Sequence, residues 1–156
     1  MIKIITDSTS DIDVTYAKEL NIDIVPLKVI IDGKEYKDRV DLQPDQFYSL
    51  LEKSEVLPTT SQPSPQEFLN YYEEAKEKGD SVIVMTLSGT ISGTYQSANI
   101  AKDLAEYENI YVIDSLNATQ ALRLLVLKAV ALREEGKDAE TIFNELQAYK
   151  ERVRIV

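Results

Sequence analysis

The sequence predicts an α/β domain whose sheet is mainly parallel and flanked by helices. Short apolar runs rich in β-branched residues alternate along the chain with longer segments of helical periodicity. Such alternation is typical of βαβ units, in which helices connect parallel strands. Two of the apolar runs end in the same Asp-Ser step, at Asp7-Ser8 and at Asp114-Ser115. With 156 residues, of which 44% are hydrophobic, the chain can form one domain with a buried core.

In the first half of the chain we predict strands over residues 2–5, 22–31 and 34–37 and helices over residues 11–20 (capped by Ser10 or Asp11), 42–53 and 65–78. Pro26 lies inside the second run and favours an edge strand or a bulge. Asp32-Gly33 is a hairpin turn signal before the third run. Three prolines in the segment 57–65 exclude regular structure there until Pro65, which begins a helix behind a Ser64 cap.

In the second half we predict strands over residues 82–87 and 110–113, helices over residues 93–106, 117–135 and 138–151, and a last strand over residues 152–156. The apolar residues of the 117–135 helix do not keep to one face, which is typical of a helix buried on more than one side. Gly136 ends this helix and Asp138 caps the next one. The chain ends within an alternating β pattern, which favours a fragment or half of a larger protein over an edge strand at a natural terminus.

The composition excludes several kinds of function. The chain has no Cys and no His, which removes thiol nucleophiles, zinc sites built on either residue and a Ser-His-Asp triad. Its 27 acidic and 17 basic residues give a formal charge of −10, which argues against a nucleic-acid partner. We find no signal peptide and expect a cytoplasmic protein, and the most apolar run, residues 124–132, is too short to cross a membrane.

A loop of small polar residues precedes the predicted 93–106 helix. Residues 88–97 read SGTISGTYQS, which matches neither the Walker pattern nor the GxGxxG pattern. The first N–H groups of the helix are free to face an anion, and Gly89 and Gly93 allow a close approach or a positive φ. The alternative is a helix whose N–H groups are capped by its own Ser and Thr side chains. The residues alone leave both interpretations open.

Three hydroxyl-rich loops are expected to meet at the carboxyl edge of the sheet: Asp7-Ser8, residues 59–62 and residues 88–94. Hydroxyl and N–H groups suit binding of a carboxylate or phosphate rather than proton abstraction, which needs a tuned base. Asp7 is the one candidate base, although stabilisation of its loop is the interpretation that we favour. The residues also leave open an enzyme that acts on a small phosphorylated metabolite, with residues 88–94 as the phosphate site and Asp7 as nucleophile or base.

Four segments together resemble the DegV family: ITDSTSD at residues 5–11, PTTSQPSP at 58–65, SGTISGTYQSA at 88–98 and VIDSLNAT at 112–119. The resemblance covers essentially all of residues 1–156, and it covers only the family's N-terminal domain. It implies that the domain binds a long-chain fatty acid whose tail lies against a C-terminal domain that this chain lacks. It further implies a non-enzymatic, acyl-carrying subunit of a bacterial fatty acid kinase, with the kinase catalytic subunit as partner, no cofactor and no membrane insertion.

The resemblance also assigns site residues. It implies that the hydroxyls of Thr60 and Ser92 hold the carboxylate, assisted by backbone N–H groups and by basic groups of the second domain. The ligand-binding residues are predicted to be Thr60, Ser61, Ser92, Gly93, Thr94, Asp7 and Ser8, with no catalytic residue and no metal ligand. Ala121 and Arg123 depart from the small residues that the family tends to have there, and Arg123 is bulky along the expected path of the tail.

Overall fold

Seven strands and six helices form over residues 1–155, the part of the chain that the computed structural model describes. The strands β1 to β7 span Ile2–Asp7, Ile22–Val25, Lys28–Ile31, Lys34–Lys37, Thr59–Ser61, Ser81–Thr86 and Ile110–Asp114. The helices α1 to α6 span Val14–Glu19, Pro44–Leu51, Pro65–Lys78, Thr94–Ala105, Thr119–Glu134 and Ala139–Lys150, and a 3₁₀ turn spans Ser8–Ser10.

Four parallel strands form the main sheet in the order β2-β1-β6-β7. Because successive side chains of a strand point to opposite faces, the central strands supply a core on each side of the sheet. Ile4 packs with apolar residues of α5 and α6, whereas Ile5 packs with those of α3 and α4. The predicted α/β fold, with a parallel sheet flanked by helices, is therefore confirmed.

A second, antiparallel sheet has the strand order β4-β3-β5 and shares no strand with the main sheet over residues 1–155. Its own core consists of Val29, Ile31 and Leu42, with Phe47 and Leu50 of α2 packed against them. None of the residues of α2 is fully buried. This small sheet is thus a lightly packed unit beside the main core, and it carries Thr60.

Two predictions about the strands of the first half are wrong in part. The predicted 22–31 strand divides into β2 and β3 of different sheets, because Pro26 has no N–H to donate and the chain leaves the main sheet there. The segment 57–65, predicted to be irregular, contains β5, since Thr59–Ser61 contains no proline and pairs with β3.

The predicted 152–156 strand does not form over the residues described. The Arg152 and Val153 N–H groups donate to carbonyls of the last turn of α6, and residues 153–155 have no regular structure. The Asn117 side chain also donates to the Val153 carbonyl, at 2.9 Å. Val156, the last residue of that prediction, lies outside the described residues.

The helix predictions are confirmed in number, with shifted ends. Asp13 caps α1, rather than Ser10 or Asp11, because the 3₁₀ turn comes first and ends at Asp11 with φ 56°. The caps at Ser64 and Asp138 are confirmed. The prediction that α5 is buried on more than one side is wrong in part. Its neighbours cover one broad face of the helix and leave Leu124 49% exposed. In residues 1–155, no helix combines the length and apolar character of a membrane span.

Candidate functional site

Asp7, the last residue of β1, ties the carboxyl ends of the two central strands together. The Leu87 N–H, just after β6, donates to Oδ2 of Asp7 at 2.7 Å, and the Thr9 N–H donates to Oδ1 at 2.9 Å. The Thr9 hydroxyl also donates to Oδ1. The side chain is 0% exposed, and this desolvation raises the pKa of Asp7 although the hydrogen bonds from Thr9 and Leu87 oppose the shift. Asp7 is therefore a buried side chain that stabilises this edge of the sheet. Its contact with a ligand stays a prediction.

Ser8 connects the same edge to the small sheet. Its hydroxyl accepts a hydrogen bond from the Leu27 N–H at 3.0 Å, in the connection between β2 and β3. Burial raises the pKa of Asp38. A hydrogen bond with the Ser8 hydroxyl and the charge of the neighbouring Arg39 partly oppose this shift. Ser8 is itself buried. It joins the two sheets in this structure, and its role as a ligand-binding residue stays a prediction as well.

The loop after β6 is held in its conformation by hydrogen bonds among its own residues. The Ser88 carbonyl accepts from the N–H groups of Ile91 and Ser92, at 3.0 and 3.2 Å. The hydroxyls of Ser92 and Thr94 lie 2.9 Å apart, and the Thr94 N–H donates to the Ser92 hydroxyl at 3.3 Å. The sequence left open whether the loop's own side chains cap the helix. Such capping is observed at one N–H group, that of Thr94.

Other N–H groups at the start of α4 are available to a ligand. Those of Gly93, Tyr95 and Gln96 have no acceptor among residues 1–155. Gly93 itself is the N-cap residue, with φ −75°, so it is not needed there for a left-handed backbone. Free N–H groups at the positive end of a helix dipole favour a carboxylate or phosphate. Side-chain capping is therefore present in part, and anion binding by this loop stays a prediction.

Thr60 lies on the other side of the candidate site, in β5. It pairs with Val29, and its side chain is exposed on the lining of a cleft beneath α2 of about 440 Å³. Most of the lining is apolar, and over the residues described it does not include Ser92. Ser61, the next residue, is half-buried and points to the opposite face of the small sheet.

Gln62 brings these two parts of the site together. It follows β5 directly, and its side-chain amide lies against the backbone of Gly93. Nε2 of Gln62 lies 3.4 Å from the Ser97 hydroxyl, in the first turn of α4. Two of the three loops expected at one sheet edge, residues 59–62 and 88–94, are therefore in contact through Gln62 and Gly93. Asp7 of the third loop is hydrogen-bonded to Leu87, the residue just before the 88–94 loop. The sequence analysis included Gln62 only as part of a loop, because nothing in its local pattern showed which residue it contacts.

A second apolar recess, of about 460 Å³, lies beside the loop after β6. Ile91, the neighbour of Ser92, is 68% exposed on its lining, together with Leu116, Ala118 and Ile155. Leu116 has φ 58°, a left-handed backbone that is uncommon for a leucine. This recess was not predicted from the sequence, because the residues that line it come from distant segments of the chain.

Arg123 does not reach into either recess. It lies over the ring of Tyr16, at 5.4 Å from the ring centre, and its guanidinium donates to the Asp11 carbonyl at 3.4 Å. Residues 1–155 contain no group of three or more acidic side chains placed to hold a metal ion. What the site offers is therefore hydroxyl groups, backbone N–H groups and apolar walls.

Comparison with known proteins identifies the family. The family model described as "Uncharacterised protein, DegV family" matches residues 1–156. A DegV domain-containing protein of Clostridium acetobutylicum is 45% identical over 145 residues, which are 93% of this chain and 52% of that protein. The chain thus spans about half the length of the curated relatives it matches.

Two solved structures have the same fold and a described ligand. One is a DegV family protein of Thermus thermophilus, described by its fatty acid binding; it has a TM-score of 0.87 and 35% identity over 96% of this chain and 53% of its own. The other is the fatty acid kinase (Fak) B3 protein of Streptococcus pneumoniae loaded with linoleic acid. It has a TM-score of 0.83 and 28% identity over 97% of this chain and 54% of its own.

Proposed function

Because the chain belongs to the DegV family, we propose that it binds a long-chain fatty acid through the carboxylate. Thr60 supplies its hydroxyl from the small sheet, and Ser92, Gly93 and Thr94 supply groups from the start of α4. The role of Ser61, whose side chain points to the other face of β5, stays a prediction. The observation that carries the proposal is the contact of Gln62 with Gly93, because it joins a hydroxyl-bearing strand to a helix start with free N–H groups. The fatty-acid-binding relatives described above support the choice of a carboxylate over a phosphate.

The apolar recesses support an alkyl ligand. One begins at Thr60 and the other beside Ser92, and both volumes fall in the range of about 300–1,000 Å³ typical of ligand pockets. Each buried CH₂ group contributes about 0.8 kcal/mol, so the walls determine affinity more than one hydroxyl does. The relatives are about twice as long as this chain. We propose that a second domain supplies the opposite wall for the tail.

We propose further that the protein presents the bound carboxylate to a fatty acid kinase catalytic subunit and does no chemistry itself. The similarity to the Fak B3 protein supports this role. The competing function, an enzyme acting on a small phosphorylated metabolite, requires Asp7 as nucleophile or base. Asp7 is fully buried and both of its oxygens accept hydrogen bonds, which disfavours attack on a substrate.

The test is a fatty-acid titration of the two-domain protein and of its Thr60→Val, Ser92→Ala double variant. Hydrogen bonds to a charged group contribute about 1.5–3 kcal/mol each, so we expect loss of two of them to raise the dissociation constant for hexadecanoate by a factor of about 100 or more. Native mass spectrometry of the protein purified from cells would show whether an acyl chain is carried.

A Thr15→Val, Ser49→Ala variant is the matched control, because it removes the same two kinds of group from exposed positions on α1 and α2, outside the site. It should bind hexadecanoate like the unchanged chain. Equal affinities for the site variant and the control would overturn the assignment of Thr60 and Ser92. Absence of binding by the unchanged two-domain protein would overturn the proposed function.

A further inference from the structure

The side chain of Gln62 occupies space that any side chain at position 93 would need. A Cβ added to Gly93 would lie 2.2 Å from Oε1, 2.6 Å from Nε2 and 2.7 Å from Cδ of Gln62. All three distances are shorter than any that real Cβ atoms show. Since the φ of Gly93 is −75°, which every residue can adopt, close approach of the Gln62 amide is the reason for glycine here.

Both the backbone and the side-chain amide of Gln62 are held in place. Its backbone follows β5, whose N–H and C=O groups pair with β3, and the next residue, Pro63, is buried. Its Nε2 atom lies 3.4 Å from the hydroxyl of Ser97, which is buried in the first turn of α4. The side chain therefore reaches from the small sheet to the helix packed on the main sheet.

The spacing of the two halves of the proposed site depends on this reach. Thr60 is two residues before Gln62, and Ser92 is the neighbour of Gly93. The small sheet and the main sheet share no strand over the described residues, so no backbone ladder sets their separation. A ligand oxygen held from both sides needs that separation fixed, because hydrogen bonds weaken steeply outside a narrow range of distance and angle.

We propose that Gln62 is the positioning residue of the headgroup site, fixing the β5 hydroxyls against the start of α4 through its contact with Gly93. The inference rests on the proposed function and names the residue that makes the site selective for a carboxylate. A neutral amide suits the position, because a carboxylate there would repel an anionic headgroup beside the helix N-terminus. The length of the side chain suits it too, since asparagine is one methylene shorter and does not reach Ser97 from the same backbone.

The experiment compares an acid with the alcohol of equal chain length. Hexadecanoate and hexadecan-1-ol, delivered from cyclodextrin, are titrated by displacement of a fluorescent fatty acid, and the ratio of their affinities measures headgroup recognition alone. We expect Gln62→Ala and Gln62→Asn to lower this ratio about tenfold, the size of one lost charge-assisted hydrogen bond. Gln62→Glu should lower it at least as much, with affinity for the alcohol unchanged in all three variants.

Gln66→Ala is the matched control, because Gln66 is exposed on α3 and donates to Asn70. It should keep the ratio of the unchanged chain. A ratio in Gln62→Ala equal to that in Gln66→Ala would overturn the inference while leaving fatty-acid binding in place. A loss of affinity for acid and alcohol alike would also overturn it, because a structural role moves both. These titrations use the two-domain protein, and if its unchanged form does not prefer the acid, the proposed function fails.

Discussion

Replacing Asp7 by alanine isolates the contribution of one buried carboxylate to the sheet edge that carries the site. The Leu87 N–H would lose its acceptor, and Leu87 is only 5% exposed, so water does not replace the lost partner readily. An unsatisfied buried donor costs about 1–3 kcal/mol. The lost cap at the Thr9 N–H adds about 1 kcal/mol. We therefore expect the free energy of unfolding to fall by about 2–4 kcal/mol.

The assay is urea unfolding followed by circular dichroism, with Asp13→Ala as the matched control. Asp13 accepts from the Tyr16 N–H at 2.9 Å in an equivalent hydrogen bond, but in an exposed position. Its loss should cost about 1 kcal/mol, the usual value for a helix cap. The difference between the two variants measures the effect of burial. Equal losses for Asp7→Ala and Asp13→Ala would refute the view that Asp7 braces the edge from inside.

Two further predictions concern the same edge. Because desolvation raises the pKa of Asp7 above its ordinary 3.8, its native form keeps a proton, between these two pKa values, that its unfolded form has released. This contribution to stability is complete below pH 3.8 and is lost as the pH rises through the raised pKa. The unfolding free energy of the unchanged chain minus that of Asp7→Asn, measured by urea unfolding, should therefore fall across that window; a constant difference would contradict the raised pKa. Gly93→Ala should change stability by less than about 1 kcal/mol, because the displaced atoms are the far end of the exposed Gln62 side chain. It should nevertheless lower the acid-to-alcohol affinity ratio as Gln62→Ala does, and an unchanged ratio would separate Gly93 from headgroup recognition.

The main sheet and its helices were predictable from the sequence because their signals are local. β6 is a continuous apolar run, and the caps at Ser64 and Asp138 stand directly before helical periodicity. Such patterns depend on neighbours in the chain, so they survive without knowledge of the fold.

β5 was not predictable for the opposite reason. Thr59–Ser61 is polar and stands between prolines, and what makes it a strand is pairing with β3, about thirty residues earlier. Pairing across such a distance leaves no trace in local composition, and here the proline signal pointed the other way.

The sequence indicated which loops belong to the candidate site but not what their residues contact. Asp7 was placed in the loop after a strand predicted over residues 2–5, whereas it is the last residue of β1, which spans Ile2–Asp7. The sequence did not show that both oxygens of Asp7 accept hydrogen bonds within the protein. Nor did it show that the Gln62 side chain occupies the space that a side chain at position 93 would need. Both facts depend on a partner distant in the chain.

The light packing of the small sheet has a consequence for how such a site operates. Over residues 1–155, only three buried apolar side chains form the core of this sheet, with Tyr36, Phe47 and Leu50 packed against them, whereas the start of α4 packs on a much larger core. Segments with few buried contacts open locally at lower free energy than the rest of a domain. We therefore expect the β5 side of the proposed headgroup site to open locally more readily than the α4 side, which would let a molecule held from both sides enter and leave without rearrangement of the parallel strands.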